Sequence, residues 1–66
     1  MTVSYKKLWK LLIDKDMKKK DLCAAAGISP ATVTKMGRND HVSTAILQRI
    51  CNALNCQVED IVEFLG

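Results

Sequence analysis

Apolar residues near the start of the chain recur at intervals of three and four positions. Leu8, Leu11 and Leu12 follow this spacing, and lysines occupy the positions between them. In a helix, such spacing places the leucines on one side and the lysines on the other. The hydroxyl of Ser4 can cap the first turn. The pattern therefore predicts an amphipathic helix over residues 5–14.

A second helix is predicted over residues 19–26. It contains Leu22 and Cys23 and ends in a run of three alanines, a composition compatible with a short helix. Gly27 follows directly, and glycine readily takes the left-handed conformation found at many helix C-termini. We therefore expect the helix to end at this glycine.

A third helix is predicted over residues 30–36. Ser29 followed by Pro30 is typical of an N-cap and a first helical residue. Val33 and Met36 are spaced to face inward, and Gly37 ends the pattern.

Two further helices are predicted in the second half of the chain. The first, over 44–54, follows Ser43, carries an apolar stripe at helical spacing and is closed by Asn55, which tolerates a left-handed C-cap. The second, over 58–64, repeats the same spacing. No segment has the alternating pattern of a strand. The expected fold is therefore all-α, a compact arrangement of five helices in one domain over residues 1–66.

Length and composition narrow the function classes. A chain of 66 residues with three glycines and one proline has one modest core, so a large catalytic cleft is improbable and no enzymatic activity is expected. The longest apolar runs fall far short of the ~20 residues of a membrane span. The first residues do not resemble a signal peptide. These features predict a soluble, cytoplasmic protein.

The cysteines are expected to be free thiols rather than metal ligands. Three cysteines are an odd number, which does not suit a fully paired disulfide scaffold. Cys23, Cys51 and Cys56, together with His41, lack the C-x-x-C spacing of a zinc site, and Cys51 lies on an apolar stripe. His41 has no partner arranged as in a catalytic dyad or triad. No metal and no cofactor are predicted.

Charge is distributed unevenly along the chain. Residues 1–38 contain nine lysines and arginines against three aspartates, a net charge of +6. Residues 39–66 contain one arginine against four acidic residues, a net charge of −3. A basic N-terminal part suits a polyanionic partner, although a solvated lysine-rich surface would have the same composition.

The segment over residues 19–38 has the layout of a helix-turn-helix. Two helices meet at a steep angle across a turn of a few residues, which requires a glycine at the bend and a small residue where the helices approach. Gly27 and Cys23 meet these two requirements. The residues predicted to form the small core of this unit are Leu22, Cys23, Ile28, Val33 and Met36.

The chain resembles the phage Cro and repressor type of helix-turn-helix domain, also called the xenobiotic-response-element family, over nearly all its length. The central motif reads Leu22-Cys23-x-x-x-Gly27-Ile28-Ser29-x-x-Thr32-Val33-x-Lys35-Met36. The following helices match with Leu47-x-x-Ile50-Cys51-x-x-Leu54-Asn55-Cys56-x-x-x-Asp60-Ile61. Two positions depart from the family pattern. Many members have Ala where this chain has Cys23 and Glu where it has Gly37, so the buried Glu–Arg pair of some relatives is missing here.

The resemblance implies a five-helix domain that places the helix over 30–36 in the major groove of double-stranded DNA. Lysine can donate to guanine, and the methyl groups of Ala and Thr can contact thymine. The candidates for reading bases are Ser29, Pro30, Ala31, Thr32, Thr34 and Lys35. The candidates for binding phosphates are Lys18, Lys19, Arg38, Asn39 and His41.

Aromatic and C-terminal apolar residues leave alternatives open. Tyr5 and Trp9 either stack on bases or belong to the core, and an amphipathic helix favours the core. The residues that either mediate a homodimer or pack on their own domain are Val62, Phe64 and Leu65.

The resulting hypothesis is a sequence-specific DNA-binding transcriptional regulator, most simply a repressor, that binds as a homodimer without a small-molecule substrate. The alternative is a protein-interaction module, such as an antitoxin-like or adaptor subunit, that keeps the helix-turn-helix scaffold.

Overall fold

The computed structural model describes residues 2–65, which form four α-helices, one short 3-10 helix and two short strands. The two strands pair antiparallel, with Val3 opposite Phe64. The elements in chain order are β1 (Thr2–Ser4), α1 (Lys6–Asp14), α2 (Lys19–Ala26), α3 (Pro30–Gly37), α4 (Thr44–Leu54), the 3-10 helix (Val58–Asp60) and β2 (Glu63–Leu65).

One hydrophobic core joins all the α-helices. Leu8 of α1, Leu22 of α2, Met36 of α3 and Ile50 of α4 are fully buried, and Ile61 joins them from the segment after the 3-10 helix. Burying such a side chain stabilises the folded state by about 1.5–3 kcal/mol. Because α2 packs against both α3 and α4, the core supports the inner side of the predicted helix-turn-helix. The opposite side of α3 remains exposed to solvent.

The helix ends follow the predicted local signals. The Ser29 and Ser43 side chains accept hydrogen bonds from the backbone N–H groups of Thr32 and Ile46. Gly27 and Asn55 are left-handed, with φ of 68° and 53°. These caps satisfy backbone groups that the helices leave unpaired.

The predicted start of the first helix needs one correction. Ser4 lies in β1, and the N-cap of α1 is Tyr5, which makes no side-chain cap. The Ser4 hydroxyl still accepts a hydrogen bond from the N–H of Lys6, at 3.3 Å.

The predicted fifth helix over 58–64 is wrong, and so is the expectation that the fold lacks strands. Only Val58–Asp60 is helical, as a single 3-10 turn, and Glu63–Leu65 is a strand paired with Thr2–Ser4. A short apolar run fits a helix or a strand equally well by its spacing. Residues 63–65 form a strand here because they pair with Thr2–Ser4 at the other end of the chain.

The third helix continues one residue beyond its predicted end. Gly37 belongs to α3, and the N–H groups of Arg38 and Asn39 donate to the carbonyl oxygens of Lys35 and Met36, each at 3.0 Å. No helix within the described residues is long and apolar enough to cross a membrane.

Candidate nucleic-acid interface

The turn between α2 and α3 is built on one carbonyl group. The Cys23 oxygen accepts hydrogen bonds from the N–H groups of Gly27 and Ile28, at 2.9 and 3.1 Å. Because Gly27 is left-handed, the chain reverses within two residues and Ser29 starts the next helix. Ile28 and Val33 are buried beneath the turn. The predicted helix-turn-helix is confirmed by this arrangement.

Arg49 of α4 also holds this turn, although sequence reasoning assigned it no role. Its guanidinium donates a hydrogen bond to the carbonyl oxygen of Gly27, at 3.2 Å. The two residues are 22 positions apart, so no local spacing signalled the contact. The only available signal was an isolated basic residue within an otherwise acidic half of the chain.

The outer side of α3 carries the predicted base-reading residues. Pro30, Ala31, Thr34 and Lys35 are exposed and Thr32 is half-buried. The hydroxyls of Ser29 and Thr32 are bonded to each other at 3.0 Å, and that of Thr34 donates to the Pro30 carbonyl oxygen at 3.1 Å.

Lys35 differs from the other polar residues of this surface. Within residues 2–65, its ammonium group makes neither a hydrogen bond nor an ion pair, whereas the three hydroxyls are engaged inside their own helix. A strong donor without an internal partner is free to bind an external acceptor.

Three exposed lysines surround the start of α2. The backbone N–H of Lys18 donates to the Asp21 carboxylate at 2.9 Å, which caps the helix and leaves the lysine side chain outside it. The Lys19 ammonium lies 4.7 Å from the centroid of the Trp9 ring. This is within the range of a cation–π interaction, so Trp9 restrains the direction of Lys19. Lys20 is exposed beside it.

Trp9 and Tyr5 belong to the core rather than to the exposed surface. Trp9 is half-buried and packs against the core, and Tyr5 is buried. The structure therefore favours the core interpretation of both aromatic residues.

A shallow groove between α2 and α3 brings residues from both helices together. Cys23, Ile28 and Val33 form much of its apolar floor. Lys19, a predicted phosphate-binding residue, and Thr34, a predicted base-reading residue, thus line the same groove across the turn.

The loop after α3 places the other phosphate candidates. Arg38 and His41 are exposed, and the Arg38 guanidinium lies 3.5 Å from the Asp40 carboxylate. Asn39 is left-handed, and its Oδ1 accepts a hydrogen bond from the N–H of Tyr5 at 3.4 Å. The Asn39 side chain therefore supports the loop shape, while Arg38 and His41 face solvent.

The C-terminal candidates lie on or beside β2, the last element of the chain. Val62 is half-buried, whereas Phe64 and Leu65 on β2 are 66% and 49% exposed. The Thr2 hydroxyl donates to the Leu65 carbonyl oxygen at 3.2 Å. Two large apolar side chains are therefore presented to solvent on a strand that is tied to β1.

Side chains of the types that bind metals form no cluster of three or more that could hold an ion in the described part of the chain. Over residues 2–65, no group of three His, Cys, Asp or Glu side chains is placed to hold a metal ion. The three cysteines are free and half-buried.

Comparison with known proteins gives one family and one solved structure. Residues 7–65 match the family described as the Cro/C1-type HTH DNA-binding domain. The crystal structure of the transcriptional regulator VanUg in its second crystal form superposes with a TM-score of 0.93 and 54% sequence identity, covering 98% of this chain and 87% of that one. A search of curated proteins found no match.

Proposed function

The chain belongs to the Cro/C1-type HTH DNA-binding domain family, which is a family of DNA-binding rather than catalytic domains. We propose that it is a sequence-specific transcriptional repressor that reads the major groove with residues 30–36. The observation that carries the proposal is the free ammonium group of Lys35 on the outer side of α3. A lysine at this position can donate to the O6 and N7 acceptors of guanine.

The residues around Lys35 divide into two roles. Lys18, Lys19, Arg38 and His41 bind phosphates on either side of the recognition helix, which sets its register on the duplex. Lys19 is the strongest of them, because the Trp9 ring already restrains its ammonium group.

The residues of α3 are expected to contribute unequally to the recognition of bases. Ala31 and Thr34 offer methyl groups to thymine, and Pro30 contributes shape. The Ser29 hydroxyl already caps the helix, and the Thr32 hydroxyl is bonded to it, so both residues contribute less to discrimination. Lys35 therefore supplies most of the hydrogen-bonded base preference.

We further propose that two copies bind one operator as a homodimer. Phe64 and Leu65 are exposed on β2, which lies outside the helix-turn-helix segment over residues 19–38, so a second copy can cover them. Two-fold symmetry would present two recognition helices about 34 Å apart, one turn of B-DNA. Occupying a promoter in this way is sufficient for repression.

The first experiment is a fluorescence-anisotropy titration of the protein with a randomised duplex pool at two salt concentrations, followed by sequencing of the bound fraction. A palindromic motif and an affinity that falls with salt are expected. No binding at low salt would reject DNA recognition by this chain and direct attention to the protein-interaction alternative.

Substitutions then separate the two kinds of contact. Lys35→Ala is expected to cost about 1–3 kcal/mol and relax the preference at one position, whereas Lys19→Ala should weaken all sequences alike and reduce the salt slope by about 1. Lys10→Ala removes the same charge beside Asp14 and Asp60 and serves as the control. Equal effects of all three would reject specific roles.

The homodimer is tested with Phe64→Glu by sedimentation velocity and by binding to a two-half-site duplex. The variant should be monomeric and lose cooperative binding, while still binding a single half-site. A wild-type protein that is monomeric on and off DNA would reject the dimer but leave the DNA-binding proposal intact.

A further inference from the structure

Cys51 and Cys56 are brought together at the end of α4 by the left-handed residue between them. The Cys51 carbonyl oxygen accepts the N–H groups of Asn55 and Cys56, the latter at 3.0 Å. In this type of helix end, the side chains of the residues joined by the longer hydrogen bond commonly touch. Cys51 and Cys56 are therefore neighbouring thiols, although they are separated along the sequence.

The two thiols share one open depression on the surface. It is lined by both cysteines together with Gln48, Asn52 and Gln57. Burial raises the pKa of the Cys56 thiol, and the adjacent Cys51 thiol raises it further. The helix-turn-helix does not use this pair, since the depression is formed by α4 and the segment that follows it.

The number of thiols restricts the metals that they can hold. Soft thiolate ligands select Cu(I), Zn(II) and iron–sulfur clusters. Structural zinc and iron–sulfur clusters require four ligands, and over residues 2–65 no third His, Cys, Asp or Glu completes a group that could hold a metal. A pair of thiolates alone satisfies only the soft, low-coordinate ion among these, Cu(I).

We propose that Cys51 and Cys56 form a binding site for one Cu(I) ion. The ion binds both sulfurs as thiolates, each thiol releases one proton to solvent, and no electron is transferred. Of the charged groups near Cys56, the Lys15 ammonium favours the resulting negative charge and the Asp60 carboxylate opposes it.

Cys23 provides a matched control within the same chain. It occupies the equivalent position at the end of α2, where its carbonyl oxygen accepts the N–H groups of Gly27 and Ile28. Its neighbour across the cap is Ile28, which has no thiol. Cys23 is therefore a half-buried cysteine in the same backbone setting without a second sulfur.

The test is an anaerobic titration of the reduced protein with Cu(I) in competition with a chromophoric Cu(I) chelator. Wild type and Cys23→Ser should each bind one equivalent. Cys51→Ser and Cys56→Ser should each bind about 100-fold more weakly, the loss expected when two joined ligands become one. Equal affinities for wild type and Cys51→Ser, or an equal loss in Cys23→Ser, would overturn the proposal.

Two further measurements keep the test independent of variant folding. Circular dichroism melting establishes whether each serine variant is folded. X-ray absorption of the wild-type complex should detect two sulfur neighbours of copper, and one or none would overturn the site. Preferential retention of Zn(II) over Cu(I) would overturn the assignment of the ion.

Discussion

The Tyr5 hydroxyl donates a hydrogen bond to the backbone carbonyl oxygen of Asp40, at 2.8 Å. A second contact joins the same segments, because the Tyr5 N–H donates to the Asn39 side chain. Tyr5 is only 1% exposed, so it ties the beginning of α1 firmly to the loop that follows α3. This loop carries Arg38 and His41, two of the proposed phosphate contacts.

Tyr5→Phe is expected to lower the free energy of unfolding by about 0.5–1.5 kcal/mol, the usual net contribution of one hydrogen bond. The ring keeps its packing, and Asp40 is exposed, so water can replace the lost donor. Urea denaturation measures the change. Tyr5→Leu, which also removes ring packing, should cost more, and equal losses in the two variants would show that the hydroxyl contributes nothing.

The raised pKa of Tyr5 predicts that the protein loses stability at alkaline pH. Burial raises the pKa of Tyr5, and although a hydrogen bond with the Val42 backbone partly lowers it, the Asp40 carboxylate raises it again, so the net shift is upward. Above the unfolded value of about 10, the unfolded chain releases the proton that the folded chain keeps, so stability falls as pH rises. The contribution is fully present below pH ~10 and is lost above it.

The alkaline loss is measured by urea denaturation from neutral pH to above the unfolded tyrosine pKa of about 10. Cys56, whose pKa is raised by burial, contributes with the same sign from a lower pH, so the experiment uses a Cys56→Ser background. Tyr5→Phe in this background should flatten the upper part of the curve. An unchanged curve would contradict the assignment to Tyr5.

The glycines of α2 and α3 should respond oppositely to alanine. Gly27 has φ of +68°, and an added Cβ would meet no atom within 4 Å. Gly27→Ala should therefore cost about 1–2 kcal/mol from backbone conformation alone. Gly37 lies in a helix with equally open space, so Gly37→Ala should stabilise by about 0.5 kcal/mol. Thermal unfolding measures both, and a destabilising Gly37→Ala would contradict this account.

Arg49 is expected to stabilise the turn of the helix-turn-helix. Arg49→Met keeps much of the aliphatic stem but removes the donor to the Gly27 carbonyl oxygen, and should cost about 0.5–1 kcal/mol because the bond is exposed to water. Gln48→Met, at the neighbouring exposed position of α4, is the control. Identical unfolding midpoints for the two variants would show that the hydrogen bond is energetically neutral.

Trp9 should report the binding of DNA through Lys19. It is the single tryptophan of the chain, and the Lys19 ammonium lies over its ring. A phosphate that binds Lys19 changes the charge beside the indole, so its fluorescence should change on titration with a duplex. Lys19→Met should abolish most of this change, while the anisotropy of labelled DNA still reports the remaining binding. A full fluorescence response in the variant would contradict the role of Lys19.

Elements that depend on neighbouring residues were predicted well. The bounds of α2 and α4 match the predicted 19–26 and 44–54. Gly27, Ser29 and Asn55 act as the caps that their residue types favour. Each of these features rests on hydrogen bonds within one or two turns, and local spacing is sufficient to encode such contacts.

The candidate surface was predicted in part. The position of Lys35 on an exposed face of its helix was predicted from the sequence, whereas the engagement of Ser29, Thr32 and Thr34 within α3 depends on rotamers that residue types do not specify. The proximity of Lys19 to Trp9 likewise depends on how α1 packs against α2.

The sequence by itself determined the four α-helices, the caps at Gly27, Ser29, Ser43 and Asn55, and the helix-turn-helix, because these arise from periodicity and contacts between near neighbours. Only the tertiary structure decided that Glu63–Leu65 is a strand, that Tyr5 supports the loop at Asp40 and that Arg49 holds Gly27. The hydrogen bonds concerned join Thr2 to Leu65, Tyr5 to Asp40 and Arg49 to Gly27, which are 63, 35 and 22 positions apart in the sequence. Such contacts form only once the core has brought distant segments together.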